Sequence, residues 1–171
     1  MVLDFLKRIF ASPEPVTALE DVGTGKQILR GVVKQDGDLV RSPLKGVTCV
    51  AFYYRAYYKA QARGKYVDRV IKDAEVYAPR FAIELQGGVV AVVPRKTGSF
   101  DTAEHRAVMG RGFTGFQAHE QVIRPGDRVA IRGRVSRDGE GFRIRPEQID
   151  MLGSAGDDLP VRTGKKRRHR R

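Results

Sequence analysis

The sequence predicts a small all-β domain, and three features carry this prediction. Between residues 26 and 150, apolar and polar residues alternate at the period of two that sends successive side chains to opposite faces of a strand. Short clusters of glycine, proline and aspartate separate these segments at the spacing of hairpin turns. The chain has 171 residues, enough to bury a core without disulfides or metals. We therefore expect one β domain over residues 26–150, flanked by segments of different character.

Residues 1–12 are predicted to form a short amphipathic helix. Its apolar residues recur at three- and four-residue steps, whereas Asp4, Lys7 and Arg8 lie on the opposite side. A linker over residues 13–25 follows. The helix either anchors the chain in the interface of an anionic membrane or docks on its own domain. The membrane-anchor candidates are Leu3, Phe5, Leu6, Ile9 and Phe10.

The first half of the domain contains two predicted strands. Residues 27–35 alternate and are rich in Ile, Leu and Val. Turn signals at 37 and 42–46 then lead into a long strand over 47–60. The even positions of this strand, Val50, Phe52, Tyr54, Ala56 and Tyr58, form a continuous apolar face. On the other face Tyr53 and Tyr57 flank Arg55, which predicts either base stacking or ordinary packing within a sheet.

The middle of the domain is predicted to form a hairpin and a loop. Residues 73–86 form a strand pair or one bent strand, and Gly87-Gly88 turns the chain into an apolar strand at 89–93. Because that strand has no polar residue, we expect both of its faces to be covered. Residues 95–117 predict a long loop with one helical turn near 102–109.

The last part of the domain is predicted to be a closing hairpin. A turn at 123–127 leads into a strand over 128–137, and a second turn at 138–141 leads into a strand over 142–150. The count is then six to eight strands, mostly antiparallel. This count favours a small OB-like barrel, closed or partly open, because a barrel leaves few exposed edges.

Positive charge is the second dominant feature of the chain, which carries a formal net charge of +12. Half of it lies in the last seven residues, within a flexible basic tail over 151–171 that we expect to be disordered. The tail either binds nucleic acid or anionic lipid, or it is a solvated segment. Its cationic candidates are Lys165, Lys166, Arg167, Arg168, Arg170 and Arg171.

The closing hairpin places a second group of cations on one face of the sheet. Its alternate positions point to the core, and the positions between them carry arginine. Guanidinium groups bind phosphate through paired hydrogen bonds, so this face predicts an anion-binding surface. The alternative is a solvated face, partly balanced by nearby acidic residues. The arginines concerned are Arg128, Arg132, Arg134, Arg143 and Arg145.

The sequence contains little that indicates a catalytic or metal-binding site. Residues 22–27 have the glycines of a phosphate loop only in part, and they precede a strand instead of a helix. The single cysteine, Cys49, lies within a strand, where a buried thiol is usually inert. Activation of Cys49 by His105 or His119 would depend entirely on the fold. One cysteine and three scattered histidines do not make a zinc finger or RING site. We therefore expect no enzyme activity, no cofactor and no metal.

One stretch of the chain resembles a known family. A Gly-x-Val strand at 31–33 is followed by the block Ser42-Pro43-Leu44-Lys45-Gly46-Val47-Thr48-Cys49-Val50, and a later block from Glu120 to Val135 contains Pro125-Gly126-Asp127. This arrangement resembles the GIDE domain, also called the "beside a membrane" domain, over roughly residues 26–150. The residues that match the family motif are Ser42, Pro43, Gly46, Cys49, Pro125, Gly126 and Asp127.

The resemblance implies a β-rich, membrane-adjacent, non-catalytic module that senses a ligand or docks a partner. In the ubiquitin ligases of this family the chemistry belongs to a separate RING, whose ligands this chain lacks, so ligase activity is not carried over. The chain also lacks the flanking transmembrane helices of the family. The short helix and the basic tail are two weak signals that together could hold it on an acidic membrane.

Two functional hypotheses follow. The first is a GIDE-type interaction or sensor module whose partner is an anionic membrane surface or a protein. The second is an OB-like nucleic-acid-binding protein that uses the arginine face and the tail. No segment resembles a membrane span or a secretory signal, so we expect the chain in the cytoplasm or peripherally on a membrane.

Overall fold

The computed structural model of the chain describes residues 14–154. The predicted N-terminal helix at 1–12 and residues 155–171 of the predicted tail, with their candidate residues, lie outside this range. The tail was predicted to begin at 151, but residues 151–153 belong to the last strand, which pairs as far as Gly153. The described chain begins with a 3-10 turn at Leu19–Asp21. Its other elements, in chain order, are β1 (Gly25–Lys34), β2 (Val40–Arg41), β3 (Thr48–Cys49), β4 (Ala51–Ala62), β5 (Lys65–Tyr77), β6 (Phe81–Leu85), β7 (Gly88–Val92), α1 (Thr102–Met109), β8 (Gln117–Ile123), β9 (Arg128–Asp138) and β10 (Gly141–Gly153).

Five strands form a closed barrel in the order β1-β6-β7-β10-β9. Neighbouring strands run antiparallel except for one short parallel contact, in which Ile144 of β10 lies beside Val92 of β7. Closure of the barrel pairs the backbone N–H and C=O groups at both edges of the sheet. The prediction of an all-β barrel is confirmed. The barrel interior is apolar, and its fully buried members include Leu29, Val33, Phe81, Ile83, Val90, Val129, Ile131 and Val135.

The predicted linker at 13–25 contributes to the barrel wall where it is described. The amide of Val16 donates to the carbonyl of Ile28 at 2.7 Å, and the amide of Leu19 donates to the carbonyl of Gln86 at 2.8 Å. The segment thus fills the gap between β1 and the end of β6. Two side chains of the segment itself, those of Ala18 and Val22, are buried. Residues 14–22 are therefore part of the packed domain, because their backbone pairing and two small apolar side chains complete the wall.

Three further strands, in the order β5-β4-β8, form a second sheet with its own core. The predicted long strand at 47–60 is interrupted at Val50, which separates β3 from β4. Of its predicted apolar face, Phe52, Tyr54 and Ala56 are buried in this second core. Val50 is buried in the barrel core, and Tyr58 is half-buried. Helix α1 contributes Val108 to the second core. This helix carries a capping box, in which the Asp101 carboxylate accepts from the Glu104 amide at 2.8 Å.

The β4–β5 hairpin extends beyond its sheet. Strand β8 pairs with β4 only as far as Tyr57, so residues 58–69 form a two-stranded projection. The turn at its end is Arg63-Gly64, and both residues have positive φ, at 50° and 76°, as a tight hairpin turn requires. Within residues 14–154, no helix is long and apolar enough to cross a bilayer.

Two predictions about the middle of the chain need correction. Residues 73–86 contain two strands and not one bent strand, which was one of the two alternatives, but the first of them, β5, begins earlier than predicted, at Lys65. The apolar strand expected at 89–93 is covered fully on its inner face but only in part on its outer face, where Ala91 is buried and Val93 is half-buried. Val90 and Val92 point inward, while Val89 is 55% exposed on the outside. The hairpin turn at Gly87, with φ of 88°, is as predicted.

Candidate functional site

The arginines of the closing hairpin lie on the outside of the barrel, as predicted. Val129, Ile131 and Val135 of β9 point into the core with Ile144 of β10. All five candidate arginines, which alternate with them, are exposed. A β-bulge between Pro146 and Gln148 adds one residue to β10 and shifts its outward positions by one residue beyond that point. The two strands therefore share one basic outer face.

Three of these arginines converge on one pocket. Arg134 and Arg145 are direct cross-strand partners, and Arg143 lies two residues from Arg145 on the same face. The Arg143 Nε donates to the hydroxyl of Ser136 at 3.2 Å. The pocket has a volume of about 250 Å³, and its lining residues are Val93, Arg134, Ser136, Arg143, Ile144 and Arg145.

The other two arginines lie farther along the wall. Arg132 is opposite Gln148, and Arg128 is opposite Gly153 at the far end of the hairpin. Arg128 lines a separate cavity that also contains Arg30 of β1. The five predicted residues thus form a continuous face, but they do not form a single site.

Strand β1 adds three cations that the sequence analysis missed. Lys26, Arg30 and Lys34 alternate along β1, and Lys26 is the cross-strand partner of Arg134. The signal was present in the sequence as a cation at every fourth position of a strand, but only the pairing of β1 with β9 puts these residues beside the arginines. Two of them contact exposed carboxylates: Lys26 Nζ lies 3.6 Å from Glu147 Oε1, and Lys34 Nζ lies 2.9 Å from Glu84 Oε2. Such exposed pairs contribute little to stability.

The two candidate stacking tyrosines lie on the other sheet, away from the arginine pocket. The Tyr53 hydroxyl donates to Asp73 Oδ1 at 3.1 Å, and burial together with this hydrogen bond raises the pKa of Tyr53. The Tyr57 hydroxyl donates to Gln117 Oε1 at 2.6 Å, and its ring stacks on His119 with a centroid distance of 5.5 Å. Arg55 lies between the two tyrosines on the same face of β4, with its Nε 3.6 Å from Asp73 Oδ1, but the structure does not bring Tyr53 or Tyr57 beside the arginines of the closing hairpin.

The family-motif residues form a tight loop that is closed by a distant carboxylate. Ser42 is fully buried, and its Oγ accepts from the amide of Val47 at 3.3 Å. Gly46 has a φ of 69°, in the left-handed region that favours glycine. The carboxylate of Glu120 on β8 accepts from the amide of Leu44 at 3.0 Å and from that of Lys45 at 2.9 Å. The two sequence blocks of the resemblance therefore meet in space.

The second motif turn has a comparable structure. Asp127 is fully buried, and its Oδ2 accepts from the amide of Arg124 at 2.8 Å. Gly126 has a φ of 94°, and its amide donates to the carbonyl of Val33 at 2.8 Å. The turn thus fixes the start of β9 against the end of β1, which sets the register of the basic face.

A buried histidine–tyrosine pair connects α1 to the second core. His105 Nδ1 lies 2.7 Å from the hydroxyl of Tyr54, which is fully buried and packs on Phe100. Burial raises the pKa of the Tyr54 phenol, and the charge of Glu120 adds to this effect. Sequence spacing offered no signal for this pair, since 51 residues separate its members. The hydrogen bond satisfies the polar groups of both side chains within the core and connects α1 to β4.

Cys49 lies in the same core, with its Sγ 3.7 Å from the carbonyl oxygen of Val40. Burial, with the charge of Glu120 as a smaller contribution, raises the pKa of the thiol to about 11. We expect the folded protein to react with a thiol reagent at pH 8 at most at about one hundredth of the rate of an exposed cysteine, because little thiolate forms and access is blocked. Labelling with and without denaturant measures this difference. Rapid labelling of the folded protein would contradict the buried position.

Comparison of the chain with protein-family models, with curated proteins and with solved structures finds no significant match. Functional interpretation therefore depends on the chemistry of the residues themselves. Within residues 14–154, no three His, Cys, Asp or Glu side chains are grouped closely enough to hold a metal ion. The most concentrated chemistry of the described chain is the basic outer face of β1, β9 and β10.

Proposed function

We propose that this chain is a non-catalytic binding module of the GIDE type that docks on an acidic membrane surface through the outer face of β1, β9 and β10. The observation that carries the proposal is the gathering of eight cations on three adjacent strands. Each lysine or arginine near an anionic bilayer contributes about 1 kcal/mol, so the face provides enough charge for reversible attachment. The eight residues are Lys26, Arg30, Lys34, Arg128, Arg132, Arg134, Arg143 and Arg145.

The GIDE part of the proposal is supported by the contact between its two motif blocks. The carboxylate of Glu120, which begins the second block, holds the loop of the first through the amides of Leu44 and Lys45. This contact gives a physical reason for the two blocks to occur together in one domain. The buried Cys49, at the end of the first block, is likewise suited to packing and not to chemistry.

Two further segments would add to membrane attachment under this proposal. The helix candidates Leu3, Phe5, Leu6, Ile9 and Phe10 would enter the interface, and the cations of 165–171 would remain in the headgroup region. Both segments lie outside the described residues, so the experiment uses the full chain and tests their contributions separately.

Charge reversal on the basic face is expected to weaken binding to acidic vesicles strongly. The triple variant Arg132→Glu, Arg134→Glu and Arg145→Glu should bind vesicles containing phosphatidylserine about a hundredfold more weakly, because three attractive charges become repulsive. Co-sedimentation with neutral and acidic vesicles over a range of salt concentrations measures the change. The matched control is Lys59→Glu, Lys65→Glu and Arg69→Glu on the β4–β5 projection, whose exposed side chains undergo the same change in charge.

Equal losses in the test and control variants would show that net charge alone drives binding and would overturn the role of this face. Binding that disappears on deletion of residues 165–171, yet is indifferent to the triple variant, would assign attachment to the tail. If the full chain binds no acidic vesicle at low salt, the proposed membrane docking is wrong.

A second candidate function is single-stranded nucleic-acid binding by an OB-like barrel. When the five barrel strands are numbered by their order in the chain, their order around the barrel is 1-2-3-5-4. The third and fifth strands run parallel, and this arrangement supports an OB-like Greek-key topology. OB folds bind oligonucleotides on their second and third strands, here β6 and β7. The outward positions of those strands are Ala82, Glu84, Val89 and Ala91, which offer neither cations nor stacking rings. This composition favours the membrane proposal.

Two tyrosine variants distinguish the membrane function from the nucleic-acid function. Tyr53→Ala and Tyr57→Ala should leave binding to a fluorescent oligothymidine unchanged, because these rings lie on a different sheet from the arginines. A loss of tenfold or more, in the range that stacked aromatics provide, would favour the nucleic-acid function.

A further inference from the structure

The pocket formed by Arg134, Arg143 and Arg145 differs from the rest of the basic face. Elsewhere on the wall the cations are spread along the strands, but here three arginines are among the lining residues of one concavity of about 250 Å³. Val93 and Ile144 contribute apolar atoms to the lining, and the amide of Val93 donates to the carbonyl of Ile144 at 3.0 Å. The arginines are therefore carried on rigid, hydrogen-bonded strands and not on a loop.

The arrangement is electrostatically unfavourable without an anion. Arg134 and Arg145 are directly opposite on adjacent strands, and like charges in this position destabilise a sheet. Within residues 14–154, no carboxylate lies within ion-pair distance of Arg134, Arg143 or Arg145. An anion bound between the three guanidinium groups would turn this repulsion into attraction.

We propose that this pocket is a discrete binding site for a phosphomonoester group. The proposal rests on the membrane-docking function and identifies the chemistry of the headgroup that the face would select. Three guanidinium groups match the near-double negative charge of a phosphomonoester at neutral pH better than the single charge of a phosphodiester. The Ser136 hydroxyl accepts from Arg143 Nε, so its own hydrogen can be donated to a phosphate oxygen.

The size of the pocket fits this class of ligand. Its volume of about 250 Å³ lies below the roughly 300–1,000 Å³ of sites that enclose drug-sized molecules. It suits a phosphate with a short polar stem, whether the phosphate ends a lipid headgroup or belongs to a free metabolite. The two sources share one chemistry and are separated by experiment.

A phosphomonoester ligand makes the affinity of the pocket depend on pH. A phosphomonoester loses its second proton near pH 6, so its charge falls on acidification to pH 5. The lining residues are arginine, serine, valine and isoleucine, so the change in charge lies on the ligand. The charged neighbours are Lys26 from β1, which contacts Glu147, and the exposed Arg95 and Lys96, which follow Val93 in the chain. Binding through the pocket should therefore weaken from pH 7.5 to pH 5, whereas phosphodiester binding should not.

The test uses the full chain and two kinds of vesicle with equal surface charge at pH 7.5. One contains phosphatidic acid, a phosphomonoester, and the other phosphatidylglycerol, a phosphodiester. We expect about tenfold tighter binding to phosphatidic acid at pH 7.5, and we expect this preference to be lost at pH 5. The variant Arg134→Gln, Arg143→Gln and Arg145→Gln should lose the preference, while the control Lys59→Gln, Lys65→Gln and Arg69→Gln should keep it.

Titration with a soluble phosphomonoester shows whether the pocket binds this group in a free metabolite or only in a lipid headgroup. Titration with glycerol 3-phosphate, followed by amide NMR shifts, should move the signals of Arg134, Ser136, Arg143 and Arg145 if the pocket binds the group without a bilayer. Equal affinity for both vesicles, with no shifts in the titration, would overturn the pocket and leave membrane docking intact. If no vesicle is bound but the shifts occur, membrane docking fails and the pocket stands as a site for a soluble phosphomonoester.

Discussion

Replacement of Gly133 by alanine is expected to destabilise the barrel by at least about 3 kcal/mol, one of the largest effects of any single methyl group in this chain. Gly133 lies on β9 opposite Pro146, next to the bulge of β10. A Cβ atom built there would overlap the carbonyl oxygen of Arg145 and stand 3.0 Å from the Cα of Pro146. Both neighbours are backbone atoms of a paired strand, so relief requires the two strands to separate.

Thermal unfolding measures this effect. For a chain of this size the loss corresponds to a fall of about 6–12 °C in Tm. The matched control is Gly141→Ala on the same hairpin, where the nearest atom to a new Cβ is 3.7 Å away, at ordinary contact distance. If both alanine variants unfold at the wild-type temperature, the close approach of β9 and β10 is wrong. Because Gly133 and Pro146 are next to the cross-strand pair of Arg134 and Arg145, Gly133→Ala should weaken the phosphate pocket as well.

Replacement of Glu120 by alanine is expected to cost about 2–3 kcal/mol. Its buried carboxylate accepts charge-assisted hydrogen bonds from Leu44 and Lys45, and bonds of this kind contribute about 1.5–3 kcal/mol each. The total is smaller than two such bonds, because both residues lie on an exposed loop where water can replace part of the loss. Chemical denaturation gives the free energy of unfolding.

Two comparisons identify the loop as the cause. Glu120→Gln keeps one acceptor oxygen but presents an amide NH2 to the other donor, so it should lose about half as much stability. Amide exchange at Leu44 and Lys45 should accelerate in both variants. Glu140→Ala, in the exposed turn between β9 and β10, should change stability by less than about 0.5 kcal/mol. Unchanged exchange at the two loop amides would contradict the role given to Glu120.

Much of the secondary structure followed from local pattern. Alternation located the strands of the closing hairpin, and the turn signals at Gly87 and at Pro125-Gly126 lie where the chain turns. The helical turn expected near 102–109 is a two-turn helix with the bounds Thr102–Met109. These elements were predictable because a period of two and a glycine with positive φ are properties of a few consecutive residues.

The candidate site was predicted only in part, because its assembly depends on contacts between distant segments. The arginine face was visible in one hairpin, but Lys26 joins it through the pairing of β1 with β9 across more than 100 residues. The exposure of Val89 was missed for the same reason, since an apolar strand does not indicate which of its faces another layer covers. The separation of Tyr53 and Tyr57 from the arginines likewise required the strand order of two sheets.

The sequence by itself determined the fold class, the alternation of core and arginine along β9 and β10, and the turns that join the strands. The tertiary structure alone decided which cations become neighbours, which acids neutralise them, and how Glu120 closes the loop at Leu44 and Lys45. The physical reason is that strand geometry is set by torsion angles of adjacent residues, whereas a site is set by packing between segments far apart in the chain. The pairing of Lys26 with Arg134, which lie more than 100 residues apart, leaves no local pattern to find.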